Sequence, residues 1–67
     1  NKSKKINSKL LLTVYKLLEK NIDFFSNYFD MQKVFSLLNK KSFNSFEYDF
    51  IWNLLVLNLW LESNERT

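Results

Sequence analysis

The chain has 67 residues, enough for one small domain, and a net charge of +3 from ten basic and seven acidic residues. It contains no Cys, no His, no Gly and no Pro, which excludes disulfides, thiolate metal sites, histidine general bases and glycine-rich phosphate loops. Average usage of Gly and Pro together gives about eight in a chain of this length, so turns that require positive φ must use Asn or Asp.

Residues 1–7 read as a polar lead-in. Lys2, Lys4, Lys5 and Lys9 place four of the ten basic residues in the first nine positions. Such a cluster suits phosphates or an anionic surface. Without Arg or a base-reading element, it reads better as a solvated tail, with no specific nucleic acid as partner. Ser8 is the expected N-cap of a first helix over about 8–21. Leu10, Leu11, Val14, Leu17 and Leu18 recur at three- and four-residue steps, with Lys9, Thr13, Lys16 and Lys20 on the far side. Asn21 takes the stop position that Gly commonly fills.

Residues 22–29 are an aromatic connector. It holds four aromatics in eight positions, more than a solvated loop carries, so the segment is expected to pack down, with one helical turn behind Asp23. Asp30 is the strongest cap in the sequence and opens a helix over about 30–40. Phe29 before it and Val34 after it have the spacing of a hydrophobic staple. Met31, Val34, Phe35, Leu37 and Leu38 form the apolar stripe, and Lys40 and Lys41 suit the negative end of the dipole.

After the polar-aromatic turn 42–48, two starts for the last helix stay open. Asn44 with Glu47 has capping-box spacing, and Asp49 is the alternative. The helix is expected over about 49–62, with 63–67 as a tail. Ten of the twelve residues from Phe50 to Leu61 are apolar. The exceptions, Asn53 and Asn58, fall on opposite sides at 100° per residue. A helix apolar around its whole circumference is normally covered on every side, and two short neighbours cover only part of it. The expected fold is therefore all-α: a single unit of three helices, the last the most buried. Phe50, Ile51, Trp52, Leu55, Leu59 and Trp60 are its candidate interface residues. The run is too short to cross a bilayer.

No residue stands out as catalytic, cofactor-binding or metal-ligating. Asp30 is accounted for as a cap, Glu47 and Asp49 as capping and solvated carboxylates, and the Trp52/Trp60 pair as core or interface anchors.

The pattern Trp52-x-Leu54-x-x-Leu57-x-x-Trp60-Leu61 resembles the closing helix of the asparagine synthetase family. Phe29-Asp30, followed by Val34 and Leu37-Leu38, is similar to that family's penultimate helix. The likeness covers residues 24–62. It departs from the family at Glu62, where basic residues often follow, and at Ser42–Asn44, where a Gly often lies. The resemblance implies the C-terminal helical segment of an ATP-dependent amide ligase. ATP and magnesium would belong to the parent domain, since the Ser-Gly-Gly-x-Asp-Ser loop cannot exist in a chain without Gly. The expected partner is another protein chain or the missing part of the same protein, and the expected location is the cytoplasm. The first residue, Asn1 rather than Met, is consistent with a piece of something longer. The alternative is a free-standing helical interaction or regulatory module. A peptide lying on a membrane surface ranks last, because the apolar residues are spread over several helices.

Overall fold

The computed structural model describes residues 5–65. The chain forms four helices in the order α1 (Ser8–Lys20), α2 (Ile22–Phe25), α3 (Met31–Leu38) and α4 (Ser45–Glu65). The three expected helices are present, and the aromatic connector contributes the fourth as a single turn. Lys2 and Lys4 of the basic cluster lie outside the described residues.

The apolar stripe of α1 turns inward as its spacing requires. Val14 and Leu18 are fully buried, and Leu10, Leu11 and Leu17 pack at the edge of the core. Lys9, Thr13, Lys16 and Lys20 face solvent. The N-cap is Asn7 rather than Ser8: the Asn7 side-chain oxygen accepts from the Lys9 backbone N–H at 2.8 Å, and Ser8 becomes the first helical residue. Both are good capping types, and the choice falls one residue earlier than the spacing of the stripe suggests.

Asn21 ends α1 as expected, with its backbone N–H donating to the Leu17 carbonyl. It does so at φ −103°, outside the left-handed region. No residue among those described has positive φ. The turns at Asn21, Ser26, Asp30 and Asn39 use right-handed helical, extended or intermediate backbone, so the absence of Gly does not force Asn into a disfavoured conformation.

The aromatic connector packs down on one side only. Phe25 is fully buried. Its ring meets Phe29 at 6.2 Å between centroids, and Phe29 meets Phe50 of α4 edge-on at 5.8 Å. Phe24 and Tyr28 stay in solvent. Asp30 caps α3, accepting weakly from the Lys33 N–H at 3.4 Å. Val34 and Leu38 enter the core, and Phe35 lies against Tyr15 of α1 with ring centroids 4.8 Å apart.

Between α3 and α4, Phe43 is buried to 1% exposure. Nothing in the polar run around it marks that role. The start of α4 is settled by a reciprocal capping box. The Asn44 side-chain oxygen accepts from the Glu47 N–H at 2.8 Å, and a Glu47 carboxylate oxygen accepts from the Asn44 N–H at 2.9 Å. The helix therefore begins at Ser45, four residues before the expected start at 49, and at about 1.5 Å per residue its 21 residues run roughly 31 Å. That length accounts for most of the 42 Å long axis of a molecule only 21 by 17 Å across.

The core lies between α4 and the α1–α3 layer, with α1 the main neighbour of α4. Ile51, Leu54, Leu55 and Asn58 make α4 the largest contributor of buried side chains among the described residues. The all-α expectation holds. The neighbouring helices cover only part of α4, as their length led us to expect, and one long face of it is bare. No helix among the described residues is long and apolar enough to cross a membrane.

Candidate interaction surface on the last helix

At 100° per residue, Ile51, Leu54, Leu55 and Asn58 share one side of α4, and all four are buried. Trp52, Val56, Leu59 and Trp60 share the opposite side, with exposures of 39, 62, 53 and 58%. Exposed Asp49, Asn53 and Ser63 flank them. No charged residue occurs between Asp49 and Glu62, so three turns of helix present apolar side chains and one amide to solvent. Trp52 is steadied by Tyr48, whose ring lies 6.1 Å from it.

The six expected interface residues divide. Trp52, Leu59 and Trp60 lie on the bare face. Ile51 and Leu55 point into the chain's own core. Phe50 is half-buried against Phe29. The sequence expectation missed Val56, which lies between the two indoles as the middle member of the row 52, 56, 60. Four-residue spacing could have revealed it, but its small size hid it beside the aromatics.

The orientation of α4 is set by a polar pair inside an apolar core. Asn58 is fully buried. Its amide nitrogen donates to the Leu54 carbonyl at 2.8 Å, and its oxygen accepts from the Asn21 amide at 3.1 Å. Asn21 also donates to the Leu17 carbonyl. A buried amide left without these partners costs about 1–3 kcal/mol, so α4 is held with Asn58 inward and Asn53 outward. One turn further, Lys20 reaches Glu62 at 2.6 Å, closing the same seam between α1 and α4.

Two of the carboxylates serve helix ends. Lys40 donates to Glu47 at 2.6 Å. This hydrogen bond, followed by the one from the Asn44 N–H, holds the Glu47 carboxyl below its ordinary range. Asp30 serves α3 as its cap. Among the described residues, no three His, Cys, Asp or Glu side chains come together to hold a metal. Two shallow open grooves lie away from the bare face. One, of about 390 Å³, lies between α1 and α3, and the other, of about 470 Å³, lies beside Phe29 and Phe50. The first is lined by Ser8, Tyr15 and Asn39 with no charged side chain, and the charged lining of the second is Asp30, Lys33 and Glu47, of which Asp30 and Glu47 serve the helix caps.

No protein family, curated protein or solved structure matches this chain.

Proposed function

We propose that this chain is a non-catalytic helical docking module that works by covering the outer face of α4 with another protein surface. One observation carries the reading: Trp52, Val56, Leu59 and Trp60 stand together in solvent on a rigid helix whose other side is fixed in the core. Large aromatics on an ordered element are the residues most often found at the energetic centre of protein interfaces. The face is a contiguous apolar patch of the size that, on a monomer, is often functional.

A second reading makes the module the C-terminal helical segment of an asparagine-synthetase-like amide ligase in the cytoplasm. The Trp52 to Leu61 pattern and the helix opened by Phe29-Asp30 support it. The covering surface is then the nucleotide-binding body of the same enzyme, which would also hold ATP and magnesium. An upstream reading frame encoding Ser-Gly-Gly-x-Asp-Ser supports this version, and a start codon directly before Asn1 removes it.

The docking reading is tested by placing a photo-crosslinking residue at position 56 in the producing cells, with position 41 on the exposed Lys41 loop as control. A discrete protein adduct from 56 but not from 41 is the expected outcome. Equal, diffuse labelling from both positions would overturn it.

A further inference from the structure

We infer that the occupant of the α4 face is a second copy of the same chain, paired antiparallel about Val56; this rests on the docking reading above. Trp52, Val56 and Trp60 form a large–small–large row with equal steps of four residues on either side of Val56. Such a row is self-complementary under a two-fold axis, because reversing its direction returns the same pattern. In the antiparallel arrangement Trp52 of one copy lies beside Trp60 of the other, and the two Val56 side chains meet nearest the axis. Val56 is the smallest of the four exposed apolar residues, which lets the helices approach closest at that point. Rows of this four-residue type pack against each other with the axes crossed at about −50°. Leu59 and Asn53 lie on either side of the row and fill the neighbouring grooves.

Charge selects the antiparallel sense. Asp49 lies on the same side of α4 two turns before Val56. A parallel pair would bring both Asp49 carboxylates to one end, whereas an antiparallel pair sends each toward the Ser63 end of the other copy. The helix dipoles also oppose favourably in that sense.

The area fits a weak homodimer. At about 200–250 Å² for a whole indole, the exposed parts of the two tryptophans amount to roughly 225 Å². At about 25 cal/mol per Å² a whole Val or Leu side chain counts about 60–120 Å², so the exposed parts of Val56 and Leu59 add roughly 100 Å². Two such faces bury about 650 Å² of apolar surface. With the polar rim of Asn53 and Ser63, this stays below the roughly 1,200 Å² of stable interfaces and in the range of weak, transient pairing. In area a second copy is thus a weak partner, and it brings no charge against the uncharged stretch between Asp49 and Glu62.

The test is sedimentation equilibrium of the full 67-residue chain up to about 1 mM. The expected result is a concentration-dependent dimer. Val56→Glu alone and Val56→Lys alone each move the midpoint at least about tenfold higher, because like charges then meet at the axis. An equimolar mixture of the two variants associates again. Val56 is exposed, so both variants keep the helix content and melting temperature of the parent, and Trp60→Ser provides a second, uncharged disruption. A chain that stays monomeric at the highest concentration, or a mixture that fails to associate while the parent does, overturns the pairing. The crosslink at position 56 separates the two claims. An adduct of twice the chain mass supports the homodimer. An adduct with a different polypeptide overturns it and leaves the docking reading standing. No discrete adduct removes both.

Discussion

The Asn21 amide donates to the Asn58 side-chain oxygen across 3.1 Å, joining the end of α1 to the middle of α4 through the only polar residue in the buried core among those described. The two residues are 37 positions apart in the chain. Their contact decides which side of an almost uniformly apolar helix faces in. The bare tryptophan face is thus a consequence of an amide pair on the other side of the helix.

Breaking that pair should destabilise the fold. Asn58→Ala removes the acceptor of the Asn21 amide and leaves a cavity, so the expected loss is about 2–3 kcal/mol in urea denaturation. Asn21→Ala strands the Asn58 oxygen and should cost about 1–3 kcal/mol. The double variant should lose less than the sum, with a coupling of at least about 0.5 kcal/mol. Strictly additive losses would mean that the pair does not act as a unit.

Phe43 and Phe46 give an internal comparison, three residues apart in the sequence. Phe43 is buried and Phe46 is 79% exposed. Phe43→Ala should cost about 3–5 kcal/mol, enough to unfold most of a domain whose size leaves it marginal. Phe46→Ala should stay within about 0.5 kcal/mol of the parent. Circular dichroism at 25 °C distinguishes them, and similar melting of both variants would contradict the placement of Phe43.

The capping box should make stability acid-sensitive. The Lys40 hydrogen bond and the Asn44 N–H favour the charged form of Glu47, so its folded pKa lies below its ordinary value of 4.5. A group depressed in this way contributes fully above its unfolded pKa, and the contribution is lost as pH falls through the folded value. Melting temperature should therefore decline as pH drops below about 4.5, and Glu47→Gln should flatten that part of the profile. An unchanged acid limb in the variant would assign the decline to other carboxylates.

The two sides of α4 should respond differently to truncation. Ile51→Ala removes a core side chain and should cost about 2–5 kcal/mol. Trp60→Ser, in dilute monomer, should change stability by less than about 0.5 kcal/mol. A large loss for Trp60→Ser in the monomer would show that the indole supports the fold of its own chain.

Much of this architecture is legible in the sequence. The stripes of α1 and α3, the Asp30 cap and the Asn44/Glu47 spacing follow from local rules, and the structure uses each of them. Two features were hidden for a common reason. Asn53 and Asn58 are identical in type and similarly placed, and only the distant Asn21 makes one of them the buried member. Phe43 sits in a run of polar residues, where periodicity gives no signal and only the space left by the surrounding helices assigns it inward. At α1 the failure is smaller: Asn7 and Ser8 are adjacent caps of nearly equal quality, and local rules cannot rank them. The candidate face was readable as a set of apolar residues on α4, but not as one side of it, because a helix without a polar stripe carries no mark of its own orientation.

Both indoles of this chain sit on its outer wall, and none lies in the interior. Their emission should therefore be open to iodide even when the fold is intact, Trp60 more so than the partly covered Trp52. The arrival of a covering surface should move it toward the blue. The molecule carries an optical gauge of contact on the very face that docking would cover.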